Sequence, residues 1–172
     1  MKILETDRLN LRQLALEDAG FILELVNDSA WLRFIGDRGV RNLADAANYL
    51  TNGPLNSYAR NGFGLYLVEL KENAVPLGMC GLIKRETLPD VDLGIAFLPN
   101  FRGQGYAYEA SAGVLAYARG SLGLKRLVAI TDPENVSSIK LLERLGFQYE
   151  QLVRLAADDI QLKLFGRNLQ IA

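Results

Sequence analysis

A short glycine-rich run near the middle of the chain has the backbone chemistry of an anion-binding loop. It reads Arg-Gly-Gln-Gly-Tyr-Ala over residues 102–107, after a strand-like segment at residues 91–98. Small and apolar residues at helical spacing follow it up to Ala118. Glycines at such a junction leave backbone N–H groups uncovered, and the positive end of the helix dipole favours an anion there. The run is therefore a candidate pyrophosphate cradle, with an ordinary strand-to-helix turn as the alternative.

Two better-known phosphate motifs do not fit this run. A Walker loop needs Gly-Lys followed by Ser or Thr, and that triplet occurs nowhere in the chain. The Rossmann fingerprint needs Gly or Ala five residues after its first glycine, but Tyr108 stands there. The pattern that does fit is Arg/Gln-x-x-Gly-x-Gly/Ala, which is met by Arg102, Gly105 and Ala107.

Other segments place this pattern in a family. Asn135 begins an Asn-x-x-Ser sequence whose predicted helix ends in Gly146-Phe147, and a β-branched run at residues 126–131 separates it from the loop. The opening Thr-Asp-Arg-Leu-Asn-Leu-Arg and the later Tyr-Ala-Tyr-Glu-Ala add two matches. Over nearly its whole length the chain resembles the GNAT N-acetyltransferase superfamily, in particular its Rim-type branch of ribosomal-protein N-terminal acetyltransferases.

The resemblance implies an acetyl-CoA-dependent enzyme that acetylates a primary amine by direct transfer in a ternary complex, without a metal. The amine would be a protein N-terminal α-amine or belong to a small molecule. The loop would hold the pyrophosphate, with Arg102 adding charge, and the preceding strand would pair with the pantetheine arm. An acyl-CoA sensor or interaction module without turnover is the alternative. The residues assigned to the cofactor are Phe97, Leu98, Arg102, Gly103, Gln104, Gly105, Tyr106, Ala107 and Asn135.

Asp92 is the candidate general base. It precedes a Leu-Gly-Ile sequence at the position where Rim-type sequences usually carry Glu. Because side chains alternate along a strand, Asp92 shares a face with Gly94 and Ala96, which leaves room for a ligand. The alternative is a solvated carboxylate at the strand end. Glu86 and Asp90 are rivals that are less well placed.

Ser138 is the candidate acid for the leaving thiolate. Many family members use a tyrosine in the helix before Gly-Phe, but the equivalent position here is Leu142. The Rim-type resemblance assigns the role to Ser138 instead. The alternative is that Asn135 caps the helix while Ser138 bonds the backbone or contacts the cofactor. A thiol with a pKa of about 8.5 leaves as thiolate at pH 7 for about 2 kcal/mol, so a weak acid is compatible with turnover.

The acceptor side is assigned to an aromatic and basic stretch between the first two predicted helices. Trp31, Arg33, Phe34 and Arg38 would line it, with packing of the aromatics beneath a loop as the alternative. A free α-amine with a pKa of about 7.8 is about one-tenth neutral at pH 7, whereas a lysine near 10.4 is neutral in fewer than about one in a thousand molecules. A modest base therefore favours an α-amine.

Apolar periodicity predicts the elements that must position these groups. A polar turn joins the second and third strands into a hairpin, and Gly53-Pro54 is a candidate interruption of the second helix. The last two strands are separated by a turn at residues 157–159. Strands are predicted over residues 9–14, 65–70, 77–84, 91–98, 126–131, 147–155 and 160–165; helices over about 16–27, 42–60 and 107–118, and after Asn135. The expected fold is a mixed α/β GNAT domain over residues 1–172, with a central twisted sheet of six or seven strands and about four helices.

Composition excludes several other classes of function. The net charge of -1 argues against nucleic acid as the main ligand, and the absence of histidine removes imidazole bases and His metal sites. Cys80 is the single cysteine, so no intramolecular disulfide forms, and its apolar strand predicts a core position. Neither a signal core nor an apolar run of about 20 residues occurs, which predicts a cytoplasmic protein without membrane contact. A monomer or homodimer is expected.

Overall fold

The computed structural model describes residues 1–157 and 159–170 and shows, within them, one eight-stranded sheet and six α-helices. The strand order across the sheet is β1-β2-β3-β4-β5-β6-β8-β7. Its strands are β1 (Lys2–Glu5), β2 (Leu9–Gln13), β3 (Leu65–Leu70), β4 (Pro76–Ile83), β5 (Asp92–Phe97), β6 (Arg126–Thr131), β7 (Gln148–Val153) and β8 (Leu162–Asn168). Its helices are α1 (Ala19–Leu25), α2 (Ser29–Phe34), α3 (Leu43–Leu50), α4 (Asn56–Asn61), α5 (Tyr106–Gly120) and α6 (Val136–Arg144).

The predicted mixed α/β class is confirmed, but the numbers of strands and helices are higher than predicted. The additional strand is β1, which is too short for periodicity to reveal and is recruited by pairing with β2. The predicted helix over residues 16–27 is a 3-10 turn followed by α1. Of the predicted turn at residues 157–159, residue 158 lies outside the described ranges.

The second predicted helix contains the interruption expected from its proline. Asn42 caps α3 by accepting a hydrogen bond from the Asp45 N–H at 2.8 Å. Between α3 and α4 the backbone widens into a π-helical segment, Thr51–Leu55, which includes Pro54. Proline lacks an N–H and its ring crowds the preceding turn, so the wider turn accommodates it without ending the helix.

Apolar clusters cover both faces of the sheet. On one face α5 packs its small residues, among them Ala110 and Val114, against the strands. On the other, α1 and α3 pack Ile22 and Leu50 against it. Cys80 is fully buried 3.7 Å from the Ser111 hydroxyl, and burial raises the pKa of its thiol to about 12. Its predicted core position is confirmed, and an inert thiol follows from that environment.

The sheet opens between β5 and β6, which are its parallel pair. Asp92 is aligned with Val128, and the Val128 N–H donates to the Val91 carbonyl at 3.0 Å. Beyond this point the two strands diverge, whereas β5 stays paired with β4 from Asp92 to Phe97. The sheet therefore contains a wedge-shaped gap at the carboxyl ends of its parallel strands, where open α/β sheets bind ligands.

Candidate active site

The backbone of β5 forms one wall of this gap. Hydrogen bonding alternates along an antiparallel pair, and the Leu98 N–H bonds the Leu77 carbonyl at 2.9 Å. The backbone groups of Phe97 and Ile95 therefore point away from β4 and into the gap. The pairing role predicted for Leu98 is wrong, because its carbonyl is also occupied, by the Phe101 N–H at 3.1 Å.

The glycine-rich loop presents a row of uncommitted amides at the end of β5. Gly103 and Gly105 have φ of +74° and +84°, which glycine adopts with little strain, and Gly105 is the N-cap of α5. The first intrahelical bond there runs from the Glu109 N–H to the Gly105 carbonyl. For the amides of residues 103–108, the described chain provides no acceptor. These orphaned donors fit a bound anion, as predicted for the pyrophosphate cradle.

Arg102 does not project from this loop as a free phosphate ligand. Its guanidinium donates to the Phe97 carbonyl oxygen from Nη2 at 2.8 Å and from Nε at 3.1 Å. Nη2 also lies 2.7 Å from Asp28 Oδ2, whose carboxylate caps α2. In this structure the predicted charge beside the pyrophosphate is therefore engaged elsewhere, where it ties the end of β5 to α2. The Gln104 side chain is likewise bonded within the chain, with Nε2 2.9 Å from the Asn100 carbonyl oxygen.

Asp92 is a buried carboxylate with one satisfied oxygen. It is 1% exposed, so the solvated strand-end interpretation is wrong. Oδ2 accepts a hydrogen bond from Arg85 Nε at 2.9 Å, while Oδ1 has no partner within the described part of the chain. Burial raises the pKa of Asp92, and the neighbouring Arg85 opposes that rise. The rival Asp90 is paired with Arg126 Nε at 3.1 Å.

A cavity of about 930 Å³ joins Asp92 to the predicted acceptor side. Trp31, Phe34 and Arg38 line it, and Trp31 is also buried in the apolar cluster on that face of the sheet, as the packing alternative held. A role of these residues toward an acceptor stays a prediction. Arg33 does not, because its guanidinium faces solvent 3.8 Å from Glu134. Sequence reasoning missed Tyr49 and Arg60 on α3 and α4, Arg85, and the cavity-lining part of the π-helical segment. Helical periodicity places Tyr49 on a helix but does not predict its position at the cavity, because the cavity forms only when distant elements pack together.

Helix α6 supplies the wall opposite β5. Ser138 and Leu142 both line the cavity, and Leu142 occupies the position where many family members have tyrosine. Asn135 Oδ1 accepts the Ser138 N–H at 3.2 Å, so Asn135 is the N-cap, as the alternative interpretation held. Asn135 does not line the cavity, and its contact with the cofactor stays a prediction. Ser138 itself is half-buried.

The side chains of the described residues form no group of three or more His, Cys, Asp and Glu that could hold a metal ion. None of the helices in residues 1–157 and 159–170 has the length and apolar character to cross a bilayer.

Known proteins share both the sequence pattern and the fold. Residues 8–148 match the acetyltransferase (GNAT) domain family. The uncharacterized N-acetyltransferase p20 of Bacillus licheniformis is 31% identical over 157 residues, covering 90% of this chain and 86% of that protein. This chain therefore belongs to the GNAT acetyltransferase family, as the sequence predicted.

Two solved structures show the same architecture. An acetyltransferase from Agrobacterium tumefaciens str. C58 superposes with a TM-score of 0.81 at 24% identity, covering 98% of this chain and 94% of that one. RimL, a ribosomal L7/L12 α-N-protein acetyltransferase in complex with coenzyme A, superposes with a TM-score of 0.83 at 17% identity, covering 98% of both chains. At these identities the likeness establishes the fold.

Proposed function

We propose that this protein is an N-acetyltransferase that moves an acetyl group from acetyl-CoA to a primary amine by direct transfer. The observation that carries the proposal is the continuity of three features. Uncommitted amides at residues 103–108 lie at the end of the split strand β5, and that strand begins at the buried Asp92 in a large cavity. A phosphate cradle, an open strand edge and a carboxylate are the groups that a thioester donor and an amine acceptor require.

The donor is held by backbone groups along most of its length. The pyrophosphate accepts hydrogen bonds from the amides of the loop, where the dipole of the 15-residue helix α5 adds favourable potential. The pantetheine arm pairs with the edge of β5 that faces the gap, beside Ile95 and the N–H of Phe97, since the Phe97 carbonyl is bonded to Arg102. Their inward-facing N–H groups are the candidates for polarising the thioester carbonyl.

Transfer proceeds by attack of the amine nitrogen on the thioester carbon, after which the carbon–sulfur bond breaks. Asp92 accepts the proton that the amine nitrogen loses, and its raised pKa makes it a stronger base than a solvated aspartate. The departing thiolate accepts a hydrogen bond from the Ser138 hydroxyl and takes its proton from solvent. The neutral fraction of α-amines at pH 7 favours an α-amino acceptor, either a peptide N-terminus or a small molecule.

A non-catalytic acyl-CoA sensor is the second candidate. Leu142 favours it, because this apolar residue stands in the cavity wall where a tyrosine acid is common in the family. A sensor would keep the loop and the open strand and would bind acetyl-CoA without releasing coenzyme A in the presence of amines.

Calorimetric titration of the folded protein with acetyl-CoA is the first test. Saturable binding supports the donor site, and a screen for thiol release with peptides of different N-terminal residues then separates the enzyme from the sensor. Absence of binding by the folded protein would contradict both functions and leave only the fold.

Replacing Arg85 with glutamine is expected to move the acid limb of the pH–rate profile to higher pH. Arg85 lowers the pKa of Asp92, so its loss lets burial raise that pKa further, and the base is then protonated at a higher pH. The displacement is read from the pH dependence of kcat/KM. Arg126→Gln is the matched control, since Arg126 pairs with Asp90 outside the cavity. An unmoved profile in Arg85→Gln would contradict the role of Asp92 as base.

One sheet contains all eight strands, from β1 near the start of the chain to β8 at residues 162–168, which supports one GNAT domain over residues 1–172. We propose a cytoplasmic monomer or homodimer whose ligands are acetyl-CoA and an amine, with neither nucleic acid nor membrane as a partner.

A further inference from the structure

Arg8 lies behind the glycine-rich loop and contacts it in two ways. Its Nη1 donates to the carbonyl oxygen of Gln104 at 3.1 Å. Its guanidinium carbon lies 4.3 Å from the centroid of the Tyr106 ring, in a cation–π contact. Arg8 precedes β2 and is about a hundred positions away from these partners in the chain. The segment between β1 and β2 therefore supports the loop through Arg8.

Glu109 fixes the orientation of this guanidinium. Arg8 Nε lies 2.7 Å from Glu109 Oε1, and the Arg8 backbone N–H donates to Oε2 at 2.9 Å. The Thr6 hydroxyl also donates to Oε2. Burial alone would raise the pKa of Glu109, but the hydrogen bonds from Thr6 and Arg8 lower it, so the carboxylate is charged at neutral pH. The Glu109 carboxylate lies in the first turn of α5, beside the proposed anion site, and the positive charge of Arg8 offsets its repulsion of an anion.

The contact with Gln104 determines where one of the loop amides points. The carbonyl of residue 104 and the N–H of Gly105 belong to one planar trans peptide, so they point in opposite directions. Arg8 holds the carbonyl from behind, which directs the Gly105 N–H to the opposite side of the loop. A glycine at φ +84° restricts its neighbouring peptides only weakly, so this orientation needs an external partner.

We propose that Arg8 is a positioning residue for the pyrophosphate of the donor, acting through the Gln104–Gly105 peptide. It makes no contact with the reacting atoms, and its effect is confined to donors that carry the pyrophosphate. The proposal rests on the proposed function, because it assumes that acetyl-CoA occupies the loop.

The test is an NMR titration of ¹⁵N-labelled wild type and Arg8→Ala with two donors, acetyl-CoA and S-acetylpantetheine, which lacks the pyrophosphate. Arg8→Ala is expected to bind acetyl-CoA at least about 10-fold more weakly than wild type, because a charge-assisted hydrogen bond is lost. Its affinity for S-acetylpantetheine is expected to be unchanged. The Gly105 amide resonance should shift strongly on acetyl-CoA addition in wild type and only weakly in the variant. Arg8→Lys keeps the charge but lacks the planar fork that reaches Gln104 and Glu109 together, so an intermediate loss is expected.

Arg12→Ala is the matched control, since Arg12 is an ion-paired arginine of the same N-terminal region whose partners, Asp18 and Glu69, lie outside the loop. Its affinity for acetyl-CoA should equal that of wild type, and thermal melts confirm that each variant is folded. Equal affinity of wild type and Arg8→Ala for acetyl-CoA overturns the inference about Arg8 and leaves the proposed function unaffected. An equal loss of affinity for acetyl-CoA and for S-acetylpantetheine in Arg8→Ala also overturns it, because that result indicates a general structural role. Failure of wild type to bind acetyl-CoA overturns the proposed function itself.

Discussion

Replacing Gly105 with glutamate is expected to weaken acetyl-CoA binding by at least about 100-fold. A carboxylate about 5 Å from a phosphate, at an effective dielectric constant of about 20, costs about 3 kcal/mol, which corresponds to that factor. The new side chain starts 3.3 Å from Arg8 Nη2, so it also competes for the guanidinium that holds Gln104. The positive φ of +84° adds backbone strain to any residue with a Cβ. Calorimetric titration measures the effect.

Gly123→Glu is the control for the charge and the strain. Gly123 has φ of +65° in open space after the end of α5, so a glutamate there imposes the same kind of backbone strain without approaching the loop. Its affinity for acetyl-CoA should be that of wild type. Equal affinities for wild type, Gly105→Glu and Gly123→Glu would show that acetyl-CoA binds away from the glycine-rich loop.

Replacing Asp92 with asparagine is expected to lower kcat by about 10² to 10⁴, the usual contribution of a positioned general base. The affinity for acetyl-CoA should stay within about twofold, because the amide is nearly isosteric and Asp92 lies at the start of β5, away from the loop that holds the pyrophosphate. Steady-state kinetics with an accepted amine and calorimetry with acetyl-CoA measure the two quantities separately.

Asp90→Asn provides the comparison, since Asp90 is two residues away and pairs with Arg126 at the surface rather than with a cavity residue. Its kcat should match that of wild type. Unchanged turnover in Asp92→Asn would exclude Asp92 as the base and direct attention to Glu86, another carboxylate that lines the cavity. A protein that binds acetyl-CoA but has no turnover even as wild type would be the sensor.

The proposed donor loop and the proposed acceptor side are joined by hydrogen bonds. Arg102 bonds the Phe97 carbonyl at the open strand edge and Asp28, which caps the helix that carries Trp31 into the cavity wall. Strand β5 and helix α2 therefore share one guanidinium. Because the two partners are 74 positions apart, the local sequence of neither segment predicts the interaction.

The sequence by itself determined the features that depend on neighbouring residues. Apolar periodicity gave the order of strands and helices, Pro54 indicated where the long helix widens, and Asn42 and Asn135 marked helix starts. The glycines of the loop indicated its uncovered backbone N–H groups, and strand alternation placed Asp92 beside an open face. These signals are local because propensity, capping and alternation act within a few residues.

Only the tertiary structure decided which charged groups meet. Arg8 bonds Gln104 across 96 positions of the chain, and Arg102 bonds Asp28 across 74. Arg85, in the loop between β4 and β5, donates a hydrogen bond to one oxygen of Asp92. In the tertiary structure the Arg33 guanidinium also faces solvent, and the N–H and carbonyl of Leu98 both bond other backbone groups. Strand β1 joins the sheet by pairing with β2. A side-chain ion pair imposes no periodicity on the chain, and strand pairing depends on which edges come together. The partners of a residue are therefore set by the packing of distant segments, which its local sequence does not specify.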